Sequence, residues 1–80
     1  MTETQKNILK AFLINNYPHY VTTRDIKDNL GYNYKAINNA LKQLKEEGYD
    51  FDYSLIKIKG RKRVCYRMQD KPENIENDEF

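Results

Sequence analysis

One cysteine, Cys65, and one histidine, His19, leave this sequence unable to close an internal disulfide or to supply the about four ligands of a zinc site. It has no tryptophan, and its glycines and prolines are so few (3 and 2) that each marks a break in structure. No apolar run approaches the ~20 residues of a membrane span, and the opening MTETQKN lacks the basic-then-apolar pattern of a secretion signal. No Gly-rich phosphate loop and no nucleophile paired with a base is visible. These absences predict a cytoplasmic protein with no membrane partner, no catalytic residues, no metal and no cofactor: a non-enzyme.

What is present is charge, unevenly spread. A chain of 80 residues buries only about 60 to 65 % of its unfolded surface, enough for one core. Residues 1–69, the expected domain, hold 13 Lys and Arg against 7 Asp and Glu, a net of +6, whereas residues 70–80 hold 1 against 5, a net of −4. A basic body of this size suits a polyanion. The tail, DKPENIENDEF, has no amphipathic period and is expected to be mobile, free to screen the body or to contact a protein partner.

Residues 22–48, TTRDIKDNLGYNYKAINNALKQLKEEG, organise the rest. Thr22 is placed to cap a helix, with Asp25 three residues on at the positive end of its dipole. Gly31 supplies the left-handed residue that ends it, and Asn33 caps the next. Two helices joined so tightly form a helix-turn-helix, whose second helix is the usual DNA reader. In that helix Ala36, Ile37, Ala40, Leu41 and Leu44 make one apolar stripe. The opposite face is Asn33, Tyr34, Lys35, Asn38, Asn39 and Lys42, with no acid before Glu46. A merely solvated face would favour Glu paired with Lys; amides and lysines are groups that contact base edges and phosphates.

Before this unit, Thr2 and Gln5 have capping-box spacing and precede an apolar face of Ile8, Leu9, Ala11, Phe12 and Leu13, which predicts a helix over residues 2–16 stopped by Tyr17-Pro18. Tyr20-Val21 is a short extended piece. After Gly48 the period becomes two: residues 53–59 and 63–69 read as strands joined by a turn around Lys59, Gly60, Arg61 and Lys62. Ile56 and Ile58 share a face of the first, and Val64, Tyr66 and Met68 a face of the second. Because an isolated hairpin is marginal in water, its apolar face is expected to lie on the helices. The hairpin also carries Lys57, Lys59, Arg61, Lys62, Arg63 and Arg67 and no acid, more cations than an edge strand needs to resist aggregation.

Val21-Thr22 ahead of the second helix, Leu30-Gly31 at its end, Ala36-Ile37 early in the third, and Leu44-Lys45-Glu46-Glu47-Gly48-Tyr49 leading into the hairpin carry a family likeness. Across residues 21–49 the chain resembles, without a gap, the DNA-binding domain of the biotin operon repressor and its relatives. That resemblance implies an α+β winged helix-turn-helix, three helices and a β-hairpin wing, acting as a transcriptional regulator. The family's DNA contacts carry over to Asn33, Tyr34, Lys35, Asn38 and Asn39 and to the wing tip at Lys59, Arg61 and Lys62. Lys42 and Arg63 join them on charge and position.

Other residues have plainer readings. His19 is a loop residue, Cys65 a packed thiol, and Asp50 and Asp52 linker residues that cap the third helix or pair with Lys45. Tyr34 is equally placed to meet a thymine or to be half buried at the turn. Duplex DNA is the favoured partner. The other readings are single-strand binding with Tyr34 and Tyr66 stacking on bases, a protein-docking module using Tyr49, Phe51, Tyr53 and Phe80, and a homodimer.

Overall fold

The computed structural model of the chain describes residues 2–71. Three helices, α1 (Glu3–Asn16), α2 (Thr23–Leu30) and α3 (Tyr34–Glu46), are followed by an antiparallel hairpin of β1 (Phe51–Ile58) and β2 (Arg61–Met68). This is the expected α+β arrangement, laid out as a winged helix. Each helix begins where the caps place it. Thr2 and Gln5 form a reciprocal capping box on α1, Thr22 and Asp25 form another on α2, and the Asn33 side chain caps α3. Gly31, at φ 78°, ends α2 in the left-handed conformation, so Gly31, Tyr32 and Asn33 suffice to join it to α3.

The core gathers one stripe from each helix. Leu9 and Leu13 of α1, Ile26 of α2, and Ile37, Ala40 and Leu44 of α3 meet Tyr66 and Met68 of β2, with Val21 beside them. Truncating a buried Leu or Ile costs about 2 to 5 kcal/mol, against a total stability of about 5 to 15 kcal/mol. This small set therefore holds the helices together. On α1, Ile8 is 45 % exposed, and the inward position is taken by Lys6, which is buried.

The hairpin departs from expectation in three ways. β1 starts at Phe51 and so includes Asp52, which pairs with Arg67 at 3.0 Å and not with Lys45. The turn is only Lys59-Gly60, with φ of 51° and 80°, the paired left-handed residues of a tight hairpin turn whose twist matches the strands. The register, with Ile56 opposite Arg63 and Ile58 opposite Arg61, puts the two isoleucines on the face away from Tyr66 and Met68. Only the base of the hairpin packs on the helices. Leu55, Ile56, Ile58 and Val64 are exposed, because eight-residue strands outrun the helical body.

Asp70 and Lys71, expected to begin a mobile tail, are described. Lys71 donates from Nζ to the Glu47 carbonyl and stands 4.5 Å from the Tyr49 ring centre. The rest of the acidic tail, with Ile75 and Phe80, lies outside the described residues. Among the described residues no helix is long and apolar enough to cross a membrane.

Lys6 ties α1 to the end of α3 by bonding the Glu47 carboxylate and pairing with Glu3 at 3.2 Å. The bond from Lys6 holds the Glu47 carboxyl below its ordinary value, and the bond to Glu47 holds the Lys6 ammonium above its own. Glu47 therefore adds stability above the unfolded carboxylate range, lost as pH falls through its folded pKa; Lys6 adds stability below the ordinary lysine range, lost as pH rises through its folded pKa. Glu47→Gln should melt below wild type at neutral pH, and the gap should close in acid once Glu47 is protonated. A gap in melting temperature that persists unchanged in acid would assign the pair no role.

Candidate nucleic-acid interface

The exposed face of α3 follows from its buried one. With Ile37, Ala40 and Leu44 inward, the helical period turns Tyr34, Lys35, Asn38, Asn39 and Lys42 to solvent. Tyr34 is 46 % exposed, with the Lys27 ammonium 5.8 Å from its ring centre. Asn33 is exposed but committed: its Oδ1 accepts the Ala36 amide at 2.8 Å, leaving only its side-chain NH2 for an outside partner.

The wing is set against this helix through Tyr66. Its backbone exchanges two hydrogen bonds with Val21, each 2.8 Å, so the extended piece before α2 becomes a bridge on the outer edge of β2. Its hydroxyl is 2.8 Å from Thr23 Oγ1 at the start of α2, and its ring meets Phe51 and Tyr53 edge-on. Burial pushes the Tyr66 phenol up, with the Thr23 bond opposing. Lys45 lies over the Phe51 and Tyr53 rings, 5.6 and 4.8 Å from their centres.

Helix and wing together enclose an open groove of about 330 Å³, bordered by Asn38, Lys42 and Lys45 on α3 and by Tyr53, Val64 and Tyr66 on the hairpin. Of the face read as DNA-contacting, Asn38 and Lys42 thus border one space with Tyr53, Val64 and Tyr66 of the wing, whereas Asn33, Tyr34, Lys35 and Asn39 and the wing-tip cations lie outside it. Lys45 and Tyr53 were not singled out as a pair in the sequence, although the alternation of Phe51 and Tyr53 with acids was visible. Nothing in the sequence pointed to Thr23.

The cations divide into two sets. Arg67 belongs to the body: it pairs with Asp52, donates to the Pro18 carbonyl at 3.1 Å, and lies 5.2 and 4.7 Å from the Tyr17 and Tyr20 ring centres. Lys6 pairs with Glu3 and Glu47, and Arg24 with Asp28. Lys35 and Lys42 on α3, and Lys57, Lys59, Arg61, Lys62 and Arg63 on the wing, are exposed or partly so and have no carboxylate partner among the described residues.

The remaining candidates are placed more simply. His19 is exposed in the loop after α1. Cys65 is buried, its thiol donating to the Ser54 carbonyl at 3.3 Å. Among the described residues no cluster of His, Cys, Asp and Glu could hold a metal. Of the aromatic set read as a docking surface, Tyr49 and Phe51 pack against the core, Tyr53 is 51 % exposed, and Phe80 lies outside the described residues. No protein-family model, no curated protein and no solved structure matches this chain.

The two roles open to asparagines here separate experimentally. Asn33→Ala removes a cap and should lower stability by about 1 kcal/mol in denaturant titration. Asn38→Ala, on an exposed face and with no side-chain bond among the described residues, should leave stability within about 0.5 kcal/mol of wild type. Equal losses would mean that Asn38 has a structural role.

Proposed function

We propose that this chain is a winged helix-turn-helix protein that binds duplex DNA and regulates transcription in the cytoplasm, as its resemblance to the biotin operon repressor's DNA-binding domain implies. One observation supports the reading: among the described residues Lys35 and Lys42 of α3 and Lys57, Lys59, Arg61, Lys62 and Arg63 of the wing have no carboxylate partner, and the exposed Asn38 and Lys42 border one groove with Tyr53, Val64 and Tyr66 of the wing. On this reading α3 lies in the major groove, where Asn38 and Asn39 pair with adenine edges while Lys35 and Lys42 reach phosphates. Lys59, Arg61, Lys62 and Arg63 take the adjoining backbone or minor groove. Occlusion of a promoter, or recruitment by contact, then follows from binding alone, without catalysis or cofactor.

A second reading is single-strand binding: Tyr66, expected to stack on bases, is buried, which leaves the half-exposed Tyr34 and, in the groove beside Lys45, Tyr53 as the aromatic rings open to a base. Fluorescence anisotropy with matched duplex and single-stranded probes at two salt concentrations decides between them. Tighter binding to the single strand would replace the duplex reading, and no binding at low salt would end both.

Replacing Arg61, Lys62 and Arg63 by Ala should weaken binding alike on all sequences. It should also flatten the salt dependence by about 0.9 in the log–log slope for each phosphate that is no longer neutralised. An unchanged slope would place the wing off the DNA.

Specificity should reside in α3. Asn38→Ala or Asn39→Ala should cost about 1 to 3 kcal/mol on a preferred site selected from random duplexes, and little on random DNA. Equal losses on both would make these residues backbone contacts.

A further inference from the structure

The groove between α3 and the wing carries charge of one sign. Lys42 and Lys45 border it, none of its lining residues is acidic, and neither lysine has a carboxylate partner among the described residues. Its floor is apolar and open to water. Tyr53 is 51 % exposed and Val64 54 %, and Leu55, which pairs with Val64 on the same face of the hairpin, is 63 % exposed. The Lys45 ammonium lies over the Phe51 and Tyr53 rings, so a group seated on this floor meets positive charge beside it. An acidic segment with apolar side chains is complementary to such a surface, whereas a basic or neutral one leaves the lysines uncompensated.

The chain itself carries a segment of that kind and brings it to the edge of the groove. Residues 72–80, PENIENDEF, hold the acids Glu73, Glu76, Asp78 and Glu79, no cation, and the apolar side chains Ile75 and Phe80. Lys71, immediately before them, is fastened at the end of α3: it donates to the carbonyl of Glu47, two residues beyond Lys45, and stands against the Tyr49 ring. Residues 72–80 can reach at most about 30 Å from there, and α3 is about 20 Å long, so the segment is able to run the length of the groove.

We propose that residues 72–80 bind back into the groove between α3 and the wing, with Phe80 on Tyr53 and Val64 and with Asp78 and Glu79 meeting Lys42 and Lys45. The docked segment covers Asn38 and Lys42, and so closes part of the face read above as DNA-contacting. That consequence, unlike the docking itself, rests on the duplex-DNA reading. Attachment favours this occupant over any free one, because a short linker holds the segment at an effective concentration of about 1 mM. Even a contact of about 0.1 mM affinity then keeps about nine-tenths of the molecules closed, and closure weakens DNA binding about tenfold.

The test uses the full chain throughout. Ile75→Ser with Phe80→Ser removes the apolar contacts and leaves the net charge unchanged, while Asp78→Asn with Glu79→Gln removes charge and keeps the apolar side chains. Amide chemical shifts, read by NMR without DNA, should differ from wild type in both variants at Asn38, Lys42, Lys45, Tyr53 and Val64. They should stay in place at Asn7 and Ala11 on the exposed side of α1. On a duplex probe at low salt, anisotropy should show both variants binding about tenfold more tightly than wild type. Circular dichroism melts confirm that each variant is folded.

Unchanged groove shifts in the serine variant would overturn the docking and leave the tail as diffuse charge drawn to any basic surface. Shifts confined to Ile56 and Arg63, on the opposite face of the hairpin, would overturn the groove as its place. Wild-type shifts that approach those of the serine variant on dilution, with a dimer seen by sedimentation, would give the groove to the tail of a second copy and overturn the docking within one chain. Groove shifts as expected, with no DNA binding by any variant at low salt, would uphold the docking and overturn the DNA reading instead.

Discussion

The wing is joined to the helical body chiefly through Tyr66. Tyr66 pairs its backbone with Val21, bonds its hydroxyl to Thr23, and packs its ring edge against Phe51 and Tyr53. Each contact fixes a different degree of freedom. The backbone pair sets the height of β2 along the helical body, the hydroxyl sets its distance from α2, and the ring sets the tilt of β1. A two-stranded sheet has little stability of its own in water, so the wing takes its order from this junction and from Met68 next to it in the core. Without the junction the hairpin would keep its cations but lose any defined relation to α3, and the groove between them would not exist.

That junction also explains why the hairpin divides in two. Toward its base, Phe51, Tyr66 and Met68 are in or against the core, whereas toward its tip all side chains from Leu55 to Val64 are exposed. The base follows the ordinary logic of folding, in which apolar area leaves water. The outer half does not, and its length contributes little to the stability of the fold. That half keeps apolar side chains in water beside cations that have no carboxylate partner among the described residues.

Much of the helical part was legible in the sequence because its signals are local. Thr2, Thr22, Asn33 and Gly31 act within three or four residues of themselves, and each stands where the sequence placed it. The stripe of Ile37, Ala40 and Leu44, and hence the opposite face of α3, followed from the helical period. What was not legible depends on partners distant in sequence. Alternation showed that Ile56 and Ile58 share a face, but not which face, since that is set by the pairing register. Lys6 reads as a polar residue on an apolar helix until Glu47 is seen beside it. Arg67 read as a wing cation, yet Tyr17, Tyr20, Pro18 and Asp52 hold it to the body. Lys45 was paired in expectation with an acid and instead lies over aromatic rings.

The allocation of cations gives the molecule its electrostatic character. Lys6, Lys45, Arg67 and Lys71 are used internally, on carboxylates, rings and carbonyls, and each ties two elements together. Lys57, Lys59, Arg61, Lys62 and Arg63 lie within a few residues of one another on facing strands, with Lys57 directly opposite Lys62 and no acid between them. Like charges directly opposite one another weaken a sheet. A hairpin already marginal for want of packing is thus loosened further by its own charge.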